Sequence, residues 1–325
     1  MIAGARNLRY VARFPRLLPK LAGDYLRVLA GRRVLRGVEF AVTYRCNFDC
    51  AHCLTKSVVD ARQTELTREE IGDIARQIDR LGAIFINFTG GEALLRDDLE
   101  AIVADTARLR GLLVTLASNA YALTPEKLAA LQKRGLAMLT LSLDGPDPAS
   151  HNRFRQRPGA FARVAATVRA SRSLRMPVWL NAVATRNNLN DGSLERLADL
   201  AREWGCLLTI NLPYATGGWR DADVRLGDAE YRRYLALLRL PQVRWEGSSN
   251  WGRAGCPAGS EKIYVSPYGD VFPCAVLQTS YGNLRQEPLA TIFRRLGEEP
   301  LFDGRCKPCL SAEAPELLPD RLKNR

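Results

Sequence analysis

Cys46-Asn47-Phe48-Asp49-Cys50-Ala51-His52-Cys53 sets three cysteines at Cys-x3-Cys-x2-Cys spacing on one short stretch. An apolar run, Val38-Glu39-Phe40-Ala41-Val42, leads into it and reads as a strand. Three thiolates on one loop can hold three irons of a cubane iron–sulfur cluster, because cysteine is a preferred soft ligand for iron. The fourth iron would then have no protein ligand and could bind a small molecule. Zinc normally takes four ligands, often as two Cys-x2-Cys pairs, and this spacing suits it poorly. The chain has eight cysteines, and its first residues do not form the uninterrupted apolar core of a signal peptide. Thiols in that number call for a chemical reason.

Downstream, helical and strand patterns alternate. Thr67 with Glu70 three residues on is a capping box, followed by apolar residues at Ile71, Ile74, Ala75 and Ile78. Residues 83–88 read as a strand and 97–110 as a helix. Strands are expected at 112–116, 137–143, 178–183 and 206–212, and helices at 124–134, 161–172 and 193–204. Six β–α units in alternation imply parallel strands covered by helices, either doubly wound or curved into a partial barrel. In such folds ligands are bound at the carboxyl ends of strands. Strand two ends in Thr89-Gly90-Gly91-Glu92, where glycines permit close backbone approach and Glu92 can accept from an ammonium group. Strand three ends in Ser118-Asn119-Ala120 and strand four in Ser142-Leu143-Asp144-Gly145, with His151-Asn152-Arg153-Phe154-Arg155 beyond. Taken alone Arg155 reads as a solvated surface arginine, and Asn181 on strand five faces inward or outward.

Past residue 215 the alternation stops, and Gly217-Gly218-Trp219-Arg220 reads as a linker. Cys256, Cys274, Cys306 and Cys309 follow, with Pro267 to Asp270 turning a hairpin before Cys274. Four thiolates without histidine suit a structural zinc or a fully ligated [4Fe–4S] cluster. Cys206, the eighth, reads as a small core residue.

The cysteine spacing, the Gly-Gly-Glu turn and the tail together resemble the radical S-adenosylmethionine (SAM) superfamily with a SPASM/twitch extension. The resemblance covers residues 37–215 and the tail cysteines. It implies a partial (β/α)6 TIM-like barrel with a small C-terminal twitch-type iron–sulfur subdomain. Its cofactors would be a SAM-binding [4Fe–4S] cluster on Cys46, Cys50 and Cys53, an auxiliary [4Fe–4S] cluster on Cys256, Cys274, Cys306 and Cys309, and SAM itself. It places His52 near the adenine, although the family has an aromatic residue there. Gly90, Gly91 and Glu92 would hold the SAM amino group. Ser118 belongs to the family's Ser/Thr-Asn-Gly turn, here with Ala120 for glycine. Ser142, Arg155 and Asn181 complete the SAM contacts. Some relatives that epimerise use a cysteine to return hydrogen, which makes Cys206 a secondary catalytic candidate.

The net charge is +12, and residues 1–36 carry nine Lys or Arg against one acid, Asp24. Val11, Phe14, Leu18, Leu21, Tyr25 and Leu29 lie between the charges at helical spacing. Such a segment can lie on an anionic membrane surface or pack across the open bottom of the barrel. No aromatic-rich basic groove supports nucleic-acid binding. The chain therefore divides into a basic segment 1–36, a barrel 37–215, and an auxiliary-cluster subdomain with its tail, 216–325. The expected compartment is the cytoplasm, with the inner membrane face as a possible station.

The expected function is reductive cleavage of SAM to a 5′-deoxyadenosyl radical, which abstracts hydrogen from a small-molecule, lipid-like or peptide substrate. The auxiliary cluster would accept the product electron, giving oxidation or bond formation, and a flavodoxin or ferredoxin-type reductant would supply the first electron. The alternative is redox-neutral chemistry, such as epimerisation or adenosyl transfer. The short stretch before the first strand tilts the expectation towards a small molecule or lipid. An iron–sulfur electron carrier or zinc-stabilised binding protein is a different class, but neither needs a SAM pocket.

Overall fold

Along the first strand, β1 (Gly37–Thr43), Val38, Phe40 and Val42 are fully buried while Glu39 between them is partly exposed. Period-two alternation puts these side chains on opposite faces, one under the helices and one towards the lumen. The same division recurs in β2 (Phe85–Gly90), β3 (Leu113–Ser118), β4 (Leu136–Ser142), β5 (Val178–Val183) and β6 (Leu207–Asn211). A computed structural model describes residues 14–245, 255–303, 308–319 and 322.

The remaining strands are β7 (Val243–Arg244), β8 (Lys262–Val265) and β9 (Val271–Phe272). The sheet order is β7-β6-β5-β4-β3-β2-β1-β8-β9. Every neighbouring pair is parallel except β8 and β9. A doubly wound sheet reverses its strand order midway. Here β1 to β7 follow chain order, as in a singly wound partial barrel, so the fold is the α/β architecture expected.

The described α-helices are α1 (Leu18–Leu29), α2 (Arg68–Arg80), α3 (Leu99–Ala107), α4 (Pro125–Lys133), α5 (Pro148–Arg155), α6 (Ala160–Ser173), α7 (Arg186–Asn190), α8 (Ser193–Glu203), α9 (Asp228–Leu237) and α10 (Leu289–Glu298). The capping box opens α2: Thr67 Oγ1 accepts from Glu70 N, and the Glu70 carboxylate accepts from Thr67 N. Thr124 caps α4, with Pro125 in its first turn, where the missing N–H costs nothing.

Two features differ from the sequence pattern. Alternation continues past residue 215, because α9 leads back to β7, which pairs with Leu208 and Thr209. The expected hairpin, β8–β9, does not stand apart: β8 pairs in parallel with β1 and extends the barrel sheet. It thereby covers backbone donors and acceptors that β1 would otherwise leave open. Arg285 clamps this tail to the barrel, donating to the Glu70 carboxylate and the Thr64 and Glu65 carbonyls.

Residues 1–13 of the basic segment lie outside the described residues; residues 14–36 pack across the bottom of the barrel. Leu17 and Asp24 are buried. Lys20 Nζ donates to Asp79 Oδ1 at 2.9 Å and to the carbonyls of Ala83 and Gly111, which precede β2 and β3. Lys20→Met keeps the stem but deletes this charged donor. It should lower stability by about 1.5–3 kcal/mol, as for hydrogen bonds to charged groups, read from urea unfolding. An unchanged midpoint would mean that α1 is not anchored there.

Candidate active site

At the carboxyl ends of the strands lies a cavity of about 260 Å³. Cys46, Cys50, Cys53 and His52 line one side; Gly90, Gly91, Ser118, Ser142, Arg155 and Asn181 line the rest. Seven of the eight expected SAM contacts and all three loop cysteines therefore meet in one place. Asn181 faces inward, its Oδ1 accepting from Asn211 Nδ2 at 2.7 Å. Arg155 is not a solvated arginine.

The cysteine loop is held close to the end of β2. A β-carbon on Gly90 would overlap the Thr43 carbonyl oxygen, and one on Gly91 would overlap the carbonyls of Tyr44 and Arg45. Gly91 N donates to Thr43 O and Glu92 N to Arg45 O. The glycines thus serve close packing against the segment just before Cys46, with Gly90 at φ +143°. Glu92 departs from expectation. Its side chain is 1% exposed and does not face the cavity. Its Oε1 accepts from Leu94 N and Ser118 Oγ, and its Oε2 from Asn119 N at 2.8 Å. The carboxylate is engaged by three donors and ties the ends of β2 and β3 together. Ala120 keeps the turn that glycine would make, at φ +65°, a left-handed conformation costing a non-glycine residue about 1–2 kcal/mol.

Asp144 links three elements. Its Oδ1 accepts from Val183 N, its Oδ2 accepts from Arg155 Nε at 2.6 Å, and its N donates to His151 Nδ1. Burial alone would raise the Asp144 carboxyl, but Arg155 and the nearby histidines hold it below the usual range. Burial pushes His151 down to about 4, leaving a neutral ring that accepts at Nδ1. Burial likewise pushes His52 down to about 4. That ring stacks near Phe154 at 4.6 Å and Trp219 at 5.5 Å.

The segment read as a linker belongs to this site. Gly217–Trp219 is a 3-10 turn whose Gly218 N donates to Cys53 O. β-Carbons at Gly217 and Gly218 would overlap the Cys53 and Ala51 carbonyls. Sequence reasoning missed Trp219, and also Tyr214, Asn211, Glu39 and Tyr264, all on the cavity wall. Asn211 could have been found by applying the carboxyl-end rule to strand six, and Glu39 as the lone charge in an apolar strand. Cys206 lies at the amino end of the barrel beside β6, 6% exposed, its thiol donating to Trp204 O. It packs in the core, away from the cavity, which removes it as a hydrogen donor there.

The donor sets fit iron–sulfur clusters. Burial, with mutual repulsion from Cys53 and Cys50, pushes the Cys46 thiol up to about 11, and burial also raises Cys50. Thiols so placed become thiolates only around a positively charged centre. Cys46 Sγ accepts from Phe48 N at 3.4 Å, and Arg155 Nη1 lies 4.0 Å from Cys50 Sγ. In the tail, Cys256, Cys274 and Cys309 lie within electrostatic reach, and burial first, then the other two thiols, raises Cys256. Cys274 Sγ accepts from Leu277 N. Cys306 lies outside the described residues. Among the described residues no three His, Cys, Asp or Glu side chains converge on a single-ion site; the loop thiols rim a cavity instead.

Arg155→Met would leave the buried Asp144 carboxylate without its cation. The expected loss at pH 7 is about 3–5 kcal/mol. A depressed carboxyl contributes stability above its unfolded pKa of about 3.9 and loses it as pH falls. Denaturation curves of variant and parent should therefore converge below about pH 4. A gap that stays constant with pH would disprove the ion-pair account.

Residues 40–201 match the radical SAM superfamily, and residues 256–310 match SPASM, an iron–sulfur cluster-binding domain. The AdoMet-dependent heme synthase of Methanosarcina barkeri is 28% identical over 84% of this chain and 88% of its own. The PqqA peptide cyclase of Streptomyces rochei is 29% identical over 79% of this chain and 75% of its own. Among solved structures, Streptococcus suis SuiB bound to its precursor peptide SuiA superposes with a TM-score of 0.66 at 17% identity, covering 87% of this chain and 70% of that one. With a SAM-binding [4Fe–4S] cluster, an auxiliary cluster and SAM as its cofactors, the chain belongs to the radical SAM superfamily and carries a C-terminal SPASM extension.

Proposed function

We propose that this radical SAM enzyme removes a hydrogen atom from an unactivated carbon of a peptide or small-molecule substrate, with net oxidation or bond formation. One observation carries the reading: among the described residues three cysteines without a fourth rim a cavity whose wall comes from the carboxyl ends of several strands. When bound, the SAM-ligated cluster supplies one-electron, hydrogen-abstracting chemistry. Cys46, Cys50 and Cys53 would hold that cluster and leave one iron open. Backbone at Gly90 and Gly91, with Ser142, Asn181 and Arg155, would orient SAM, and His52 with Phe154 and Trp219 would flank its aromatic end. Ser118 and Asn119 are positioned by Glu92, which acts through the turn rather than on the ligand.

The cavity wall is mixed: Glu39, Asn181, Asn211, Tyr214 and Tyr264 stand beside Leu54, Val58, Val183 and Trp219, which suits a substrate with both polar and apolar groups, such as a peptide. The relatives' names, a peptide cyclase and a heme synthase, are consistent with that reading. Four tail cysteines suit an electron-accepting auxiliary cluster fed by the product, and a flavodoxin or ferredoxin-type donor suits the first cluster. The position of Cys206 weakens the epimerase alternative.

Anaerobically reconstituted chain should carry about eight irons and eight sulfides, two cubanes' worth. Changing Cys46, Cys50 and Cys53 to alanine should abolish 5′-deoxyadenosine formation under dithionite. Changing Cys306 and Cys309 should spare some of it while stopping net turnover. Deoxyadenosine from the first variant would end the SAM-cleavage reading. Full product from a well-folded second variant would transfer the assignment to redox-neutral chemistry.

A further inference from the structure

Exposed large apolar side chains are unevenly placed. Seven occur among the described residues, and four are on the twelve-residue helix α1: Leu18 at 49%, Tyr25 at 47%, Leu26 at 65% and Leu29 at 65% exposed. At 100° per residue these four and exposed Ala22 span one continuous arc of the helix. The opposite arc carries Lys20, which anchors α1 to the barrel, and buried Asp24, which pairs with Arg27 of the same helix. The helix is thus apolar on its outer side while already fixed by its inner side. Isolated exposed leucines are ordinary, but a contiguous patch on one anchored helix is not.

A second feature shares this face. Parallel strands put every helix-to-strand loop at the same, amino-terminal edge of the barrel, the edge that α1 crosses. Those loops carry exposed Arg80 before β2, Arg110 before β3, Lys133 and Arg134 before β4, and Arg175 before β5. None of these five makes an ion pair among the described residues. Arg27 and Arg32 add exposed cations at the end of α1. Against them stand exposed Glu203 and Glu298, Asp199, which pairs with Arg202, and Asp79, which Lys20 neutralises. The cavity opens at the other edge, so nothing in the proposed chemistry uses these charges.

We propose that the whole amino-terminal face of the barrel, and not the chain terminus alone, docks on an anionic lipid surface. The outer arc of α1 enters the headgroup boundary, the loop cations lie against lipid phosphates, and the cavity faces away from the bilayer. The pairing of the two features decides the partner. An apolar arc beside five cations that make no ion pair among the described residues matches an anionic interface, which rewards apolar burial and positive charge together. Nucleic acid would use the cations but leave the leucines in water. A second copy of this chain would bury the leucines but bring like charges together.

The test is co-sedimentation of the full chain with vesicles of phosphatidylcholine alone, or mixed with phosphatidylglycerol. Binding is expected only to the mixed vesicles, weakening from low to high salt. Leu26→Glu with Leu29→Glu changes two exposed side chains and should abolish it. Arg110→Ala, Lys133→Ala and Arg134→Ala, singly, should each weaken it about fivefold. Circular dichroism and 5′-deoxyadenosine formation should stay at parent levels in all of them. Failure to bind mixed vesicles would overturn the proposal. So would binding lost on deleting residues 1–13 but unaffected by the loop substitutions. Concentration-dependent dimers dissolved by Leu26→Glu, or preferential capture of RNA, would assign the face to another partner and overturn it equally.

Discussion

The carbonyl oxygen of Thr43 occupies the space where a β-carbon on Gly90 would stand. That contact sets how closely the ends of β1 and β2 approach, and much of the site is arranged around it. Gly91 N donates to the same carbonyl, and Glu92 N reaches Arg45 O immediately before the cysteine loop. Glu92 then carries the connection to β3 through Ser118 and Asn119. Asp144 repeats the device one strand further, joining β4 to α5 and to the end of β5. Each buried carboxylate is surrounded by donors, as burial requires. The floor of the cavity is a chain of backbone and carboxylate contacts, on which the ligand-facing side chains are mounted.

Much of this was legible before any coordinates. Strand positions follow from apolar runs, and the capping box of α2 from Thr67 and Glu70. The cysteine spacing, the carboxyl-end rule and the family resemblance found the three loop cysteines and seven further lining residues. The misses have physical causes. Glu92 was assigned to a ligand because its sequence position does not reveal which way a side chain turns after a glycine pair. Gly217-Gly218 looked like a flexible connector, since glycine's two uses, freedom and close approach, are identical in sequence. Cys206 was ambiguous because only the strand direction tells which end of the barrel it occupies. Asn211 and Tyr264 were missed because lumen-facing polar residues are single letters inside apolar strands.

The barrel separates its two ends electrostatically. The carboxyl-end cavity pairs its ionic groups internally: Arg155 with Asp144, and Lys262 with Glu39 at 2.6 Å. Field from those groups is largely confined to the site, where low dielectric strengthens it. The opposite end also forms ion pairs, Lys20 with Asp79, Arg27 with Asp24 and Arg202 with Asp199, but holds an excess of cations that projects a positive field into solvent. That division leaves the chemistry at one end little affected by what the other end touches.

The pairing of β8 with β1 has a consequence for how the chain is made. Val38 lies beside Ile263, and Phe40 beside Val265, so the first strand waits for a partner synthesised long after it. During elongation that edge of the sheet is open, hydrophobic on one side, and competent to pair with a neighbouring chain. Contacts this far apart in sequence also slow folding, because loop closure precedes any gain from pairing. Correct assembly of the barrel therefore depends on the same terminal segment that carries the second set of cysteines. A truncated or stalled chain would present an unfinished sheet rather than a smaller working enzyme.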